Sequence, residues 1–154
     1  MSALHIRTAV AGDVPVLLPM IEQYWRFEGI VGYQAGPVAA QCTRLLSTPQ
    51  LGCGWIAEAG ETAVGYLLAV YVFSLEHLGL TAEIDEFFVS HEWRARGVGT
   101  QMLRVAEAWF VRQGCTNVAL QLARINDPAR EFYRRHAYRD RSGYELLDKA
   151  LSGS

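Results

Sequence analysis

Arg94-Ala95-Arg96-Gly97-Val98-Gly99 follows the strand-like run 84–89 and leads straight into residues with helical periodicity. Strand, glycine-bearing turn and helix in that order make an anion cradle. The first N–H groups of a helix lack intrahelical partners and sit at the positive end of its dipole, and glycine removes the Cβ atoms that would hold a phosphate away. The guest this suits is a phosphate-bearing cofactor. A P-loop would need Lys after its second glycine, and a dinucleotide fingerprint would need a third glycine where Met102 stands, so both are set aside. Further on, Asn126-Asp127-Pro128-Ala129-Arg130-Glu131-Phe132-Tyr133 reads as a second helix start, with Asp127 as N-cap and Pro128 in the first helical position.

The strand before the cradle carries three acids. Strand side chains alternate, so Glu83 and Asp85 share one face and Glu86 points to the other, which puts at least one carboxylate on the side where a ligand would lie. Such a carboxylate can attract a cationic amine and take its proton, directly or through water.

Positioning these groups falls to elements legible along the chain. His5-Ile6-Arg7 predicts an opening strand, and Gly12-Asp13 caps a helix whose Val14, Leu17, Leu18, Ile21, Tyr24 and Trp25 keep helical spacing. Pro37 opens a shorter helix that ends at Ser47-Thr48-Pro49. Gly52-Cys53-Gly54 reads as a lead-in loop to a hairpin built from Trp55-Ile56-Ala57 and residues 63–73, and residues 75–79 turn the chain into the strand ending at Val89. Met102, Leu103, Ala106, Trp109 and Phe110 mark a third helix, closed by Gly114. Residues 118–122 read as a strand, Pro128 opens a helix to about His136, and residues 144–147 read as a last strand. The order predicts an α+β fold: one domain over residues 1–154, with a mixed, mainly antiparallel central sheet and helices on both faces.

Composition narrows the partners. A chain of 154 residues holds one core, and a chain of this size buries roughly 70% of the surface its unfolded form exposes. A formal charge of −2 with no Lys/Arg block argues against a nucleic-acid face; the arginines between Arg124 and Arg141 are interleaved with Asp127, Glu131 and Asp140. No leader pattern or apolar stretch of about 18 residues is present, so a cytoplasmic protein with no membrane partner is expected. Cys42, Cys53 and Cys115 show neither disulfide nor metal spacing, and His5, His77, His91 and His136 are scattered. The cysteines are read as free thiols in a reducing compartment, and no metal is expected.

Taken together, Arg94–Gly99 and Asn126–Tyr133 resemble the GCN5-related N-acetyltransferase family, closely over residues 81–138 and in outline elsewhere. The resemblance implies acetyl-CoA as cosubstrate. Its pyrophosphate would be held by Arg94, Ala95, Arg96, Gly97, Val98, Gly99 and Thr100, and its pantetheine by Phe87, Phe88 and Val89, where the family's strand bulges near its end and leaves backbone groups without ladder partners. Asn126 and Ala129 would face the pantetheine, and Tyr133 would protonate the departing thiolate. The stretches Arg26-Phe27-Glu28, Asp85–Val89 and Tyr144-Glu145-Leu146 look like the diamine and polyamine acetyltransferase branch. On that likeness Asp85 is the base or its water anchor, and Phe27, Glu28 and Asp85 bind the amine. Ala137 stands where the family commonly has glycine before the aromatic residue, here Tyr138, a departure that bears on how the tail turns. The expected activity is acetyl transfer to a primary amine of a small molecule, a diamine or polyamine among them. A protein α-amine or lysine acetyltransferase and a non-catalytic acyl-CoA-binding sensory module remain as alternatives, and the family's habit of dimerising makes a homodimer an expectation.

Overall fold

Five strands in the order β1-β2-β3-β4-β5 form the sheet of the computed structural model, which describes residues 3–152. β1 is Leu4–Thr8, β2 Gly52–Ala59, β3 Thr62–Ser74, β4 Gly79–Val89 and β5 Val118–Leu120. The first four pair antiparallel, and β5 joins β4 in parallel. The helices are α1 (Val14–Glu28), α2 (Ala35–Ser47), α3 (Val98–Arg112) and α4 (Asp127–Arg135). The chain divides into two compact units at Gln121 and Leu122; the sheet and α1–α3 belong to the first, α4 and the tail to the second. Among the described residues, no helix is long and apolar enough to cross a membrane.

Alternation along β2 shows how the sheet is covered. Ile56 is fully buried in a cluster with Leu17 and Ile21 of α1, Cys42 of α2, and Tyr66, Leu68 and Phe88 of the neighbouring strands. The next residue back, Trp55, turns to the other face and meets Phe110 of α3 edge-on, ring centroids 5.7 Å apart. Adjacent strand residues point to opposite sides, so α1 and α2 cover one face and α3 the other.

Three sequence expectations are corrected. Gly52-Cys53-Gly54 is not a lead-in loop but the start of β2. The glycines are there because β3 comes too close for side chains: a Cβ on Gly54 would lie 2.7 Å from Leu68 Cδ2, and one on Gly52 would run into the carbonyl oxygen of Ala69. Residues 144–147 have strand-like alternation but form no strand, and Tyr144, Leu146 and Leu147 are exposed. Alternation decides which side chains share a face; a strand exists only with a ladder partner. In α4 the N-cap is Asn126 rather than Asp127, because the Asn126 Oδ1 accepts the Ala129 N–H at 3.2 Å.

A half-buried ion cluster fixes the start of α1 against the sheet. Arg7 of β1 donates from both terminal nitrogens to the two Asp13 oxygens, each at 2.9 Å, and from Nε to Glu58 of β2 at 3.0 Å. Asp13 also accepts the Val10 N–H at 2.8 Å, which closes the turn leading into α1. These bonds, the Arg7 one foremost, hold the Asp13 pKa below its ordinary value. A carboxylate with a depressed folded pKa stabilises the fold at neutral pH, and that contribution fades as pH falls through the folded pKa. Asp13→Ala should therefore lower unfolding free energy by about 1–3 kcal/mol at neutral pH in urea titrations, with the gap to wild type narrowing below pH ~4.

Candidate active site

A single extra residue in β4 sets the geometry of the first unit. Leu68 of β3 pairs with Glu86 while its neighbour Ala69 pairs with Ile84, so Asp85 is a bulge with no partner of its own. The bulge falls at Asp85 rather than at the strand's end; Phe88 and Val89 keep regular register against Tyr66 and Gly65. Its consequence for the acids reverses the alternation argument. Ile84 stays on the α3 side with Ala69, whereas Glu86, one step past the bulge, comes to the α1 side with Leu68, Tyr66 and Phe88. On β4's other edge, pairing with β5 covers only Ala82–Ile84, so from Asp85 onward that edge has left the ladder.

Glu86 is the carboxylate around which α1 and the sheet are built. Its Oε2 accepts the Trp25 indole N–H at 2.7 Å and its Oε1 accepts the Tyr66 hydroxyl at 2.8 Å. Aromatic rings close the neighbourhood: Tyr24 lies edge-on to both Tyr66 and Phe88, and the Tyr66 and Phe88 centroids are 5.9 Å apart. Desolvation raises the Glu86 pKa; the Trp25 and Tyr66 bonds pull it down, and the Asp85 charge pushes it up again. Desolvation also raises the Asp85 pKa. Two neighbouring carboxylates with raised pKa values, one of them anchored by two donors, suit proton acceptance. Strand alternation alone points to Asp85 as the base and sends Glu86 to the face opposite Glu83 and Asp85. The signal that could have found it was an indole and a phenol in otherwise apolar segments, both of which need acceptors when buried.

The cradle has the anticipated strand-turn-helix form. Gly97 caps α3 with φ +82°, and Ala95 two residues earlier also takes a left-handed φ of +60°. That conformation is uncommon for alanine and bends the backbone sharply just ahead of the helix. The first intrahelical bond runs from Gln101 N–H to the Gly97 carbonyl, so the Val98 and Gly99 N–H groups precede the ladder at the positive end of α3. Arg94 directs its side chain to the α1 side. Its Nε donates to the Val89 carbonyl at 2.9 Å, and its guanidinium lies 4.7 Å from the Phe27 ring centroid and 5.7 Å from that of Phe88. Arg96 stacks on Trp93 at 5.0 Å. Phe27, Phe88, Val89 and Arg94 are thus brought together, while Glu28 and Asp85 take no hydrogen bond or ion pair with them among the described residues.

In the second unit, Asn126 and Ala129 are joined by the capping bond, and Tyr133 sits among aromatic rings, with Phe132 at 5.3 Å and Tyr138 at 5.4 Å. Ala137 adopts φ +69°, the left-handed conformation a glycine would supply. Tyr138 N–H bonds the Tyr133 carbonyl and Ala137 N–H bonds the Arg134 carbonyl, both at 3.0 Å, a Schellman-type end to α4. The alanine therefore leaves the turn geometry intact.

Residues 18–138 match the acetyltransferase (GNAT) family. The chain belongs to that family, whose members are acetyl-CoA-dependent N-acetyltransferases. It is 33% identical over 98 residues to an uncharacterised N-acetyltransferase of Methanocaldococcus jannaschii, covering 63% of this chain and 57% of that protein's length. Over 141 residues it is 24% identical to the uncharacterised N-acetyltransferase YhfO of Bacillus subtilis, covering 92% and 93% of the two chains. Among solved structures, an integron cassette protein from the mobile metagenome of Cole Harbour Salt Marsh superposes with a TM-score of 0.84 at 28% identity, over 97% of this chain and 91% of that one.

Acetyl-CoA is the cosubstrate of the family, and a cradle whose leading N–H groups precede the helix's own hydrogen-bond ladder suits its pyrophosphate. Gly99→Glu adds a side chain and a negative charge at that point. Calorimetry should show acetyl-CoA binding lost in this variant while circular dichroism remains that of wild type; unchanged affinity would remove the cradle from the account.

Proposed function

We propose that this protein transfers the acetyl group of acetyl-CoA to a primary amine of a small molecule by direct attack, with Glu86 receiving the amine's proton and Tyr133 supplying one to the departing thiolate. The observation that carries the reading is the Glu86 carboxylate, held by the Trp25 indole and the Tyr66 hydroxyl and raised in pKa by desolvation. An ammonium near pKa ~10 must lose a proton before it can attack a thioester, and a raised carboxylate is the better base for it. Asp85, in the bulge, adds negative charge beside it and can anchor a water between Glu86 and the amine. The β4 edge from Asp85 onward, which β5 leaves, has backbone groups for pantetheine and for the acetyl carbonyl oxygen as charge develops there. Val98 and Gly99 N–H groups hold the pyrophosphate, Asn126 Nδ2 donates to the pantetheine, and Tyr133 acts late in the step. The ammonium gives one proton to Glu86 before attack; as the nitrogen–carbon bond forms and the carbon–sulfur bond breaks, Tyr133 protonates the thiolate and is reprotonated by the second nitrogen proton, so the step balances.

A diamine or polyamine acceptor, the finer expectation, rests on the carboxylates of Glu28 and Asp85 and on the Phe27 ring. The Arg94 guanidinium on the Phe27 ring opposes it, because a second ammonium there would meet a like charge. A cytoplasmic location, action without nucleic acid or membrane, and a homodimer complete the proposal.

Tyr133→Phe tests the acid: the ring remains and the proton is gone. Turnover should fall by on the order of 10²-fold while acetyl-CoA affinity measured by calorimetry hardly changes. Near-normal turnover, with chemistry shown to be rate-limiting, would make Tyr133 a packing residue and assign the proton to another group.

A further inference from the structure

Trp25 faces two ways. Its indole N–H donates to Glu86 Oε2 at 2.7 Å, while its ring meets the Tyr33 ring edge-on, centroids 5.6 Å apart. Tyr33 belongs to the loop between α1 and α2, residues 29–34. Named contacts fasten that loop to α1: the Ile30 N–H donates to the Trp25 carbonyl at 2.8 Å, and the Tyr33 hydroxyl donates to the Leu18 carbonyl at 3.3 Å. Gly29 and Gly32 take left-handed φ of +72° and +90°, with open space where a Cβ would stand, so the turn of the backbone and not a close neighbour calls for glycine. Ile30 and Val31 between them are exposed.

The two donors on Glu86 are not equivalent. A hydroxyl can turn from donor to acceptor once the carboxylate carries a proton, so the Tyr66 bond survives protonation in reversed form. An indole only donates, so the Trp25 bond favours the ionised carboxylate, and its aim bears on how readily Glu86 takes a proton. We infer that Trp25 is a positioning residue through which the α1–α2 loop, by way of the Tyr33 ring, aims Glu86. The inference rests on the acetyltransferase reading above and adds a control to that same site. Other groups face this carboxylate from three elements. On β3 burial keeps the Tyr66 hydroxyl neutral, and on α2 it pushes the Cys42 thiol up to about 11. The Tyr24 phenol of α1 lies edge-on to Tyr66, and Asp85 of β4 adds a carboxylate charge.

Carbon-13 labelling of the glutamate carboxyl groups reads Glu86 by NMR titration without any acceptor and apart from Asp85, with the resonance assigned through Glu86→Gln. Trp25→Phe removes a bond to the charged form, so the Glu86 ionisation should move up by about one unit or more. Tyr33→Ala leaves both donors of Glu86 in the chain, yet should move the ionisation in the same direction by about 0.5 unit. Tyr33→Phe keeps the ring and should stay close to wild type. The double variant of Trp25→Phe with Tyr33→Ala should move no further than Trp25→Phe alone. The acid limb of kcat/KM for amine acetylation should follow each shift, while acetyl-CoA affinity by calorimetry stays within about twofold of wild type. An unmoved ionisation in Tyr33→Ala, an equal shift in Tyr33→Phe, or additive shifts in the double variant overturns the inference. If Trp25→Phe does not fold, the Tyr33 pair decides by the same titration. Shifts as expected in NMR with an unchanged kcat/KM profile support the link through Trp25 and overturn instead the reading of Glu86 as the base.

Discussion

The β4 bulge at Asp85 governs which groups the site can contain. Without the extra residue, Glu86 would follow strict alternation to the α3 side, into the layer that holds Trp55, Met102 and Phe110. With it, Glu86 comes to the α1 side, where Trp25 and Tyr66 each present one polar hydrogen. Two hydrogen bonds to a charged acceptor are worth about 1.5–3 kcal/mol each, enough to offset part of the desolvation that raises the Glu86 pKa. The balance leaves a carboxylate that is held in place yet readier to take a proton than one in water.

The same bonds tie sequence-distant elements into one site. Trp25 belongs to α1, Tyr66 to β3 and Glu86 to β4, so the carboxylate fixes the end of α1 against the sheet. Two residues beyond Trp25, Phe27 supports Arg94, whose backbone opens the turn into α3. The proposed acceptor side and the proposed cofactor cradle are therefore consecutive along β4 and its exit. The strand leaves β5 after Ile84, carries Glu86 and Phe88, and ends in the turn that caps α3.

Much of this was legible from residue order. Helical spacing located α1 and α3, a proline marked the start of α4, and the paired Arg94–Gly99 and Asn126–Tyr133 segments pointed to the family that residues 18–138 match. The errors share a cause. Alternation and glycine content are local signals, whereas the Asp85 bulge, the strand placement of Gly52 and Gly54 and the missing strand at 144–147 depend on what lies across the ladder. No glycine or proline announces the bulge, so the pattern assigned Glu86 to the wrong face. The contact between Arg94 and Phe27 likewise joins residues far apart in sequence.

The pH dependence of kcat/KM for amine acetylation, compared between wild type and Glu86→Gln, tests the role of this carboxylate most directly. In wild type the rate should rise through an ionisation above the ordinary carboxylate range of about 4, as Glu86 loses its proton, and continue upward as the amine deprotonates. In Glu86→Gln the lower ionisation should vanish and the plateau should fall by on the order of 10²-fold, while acetyl-CoA still binds. A variant with the wild-type profile and rate would show that the half-buried carboxylate only holds α1 to the sheet and that the proton leaves by another route.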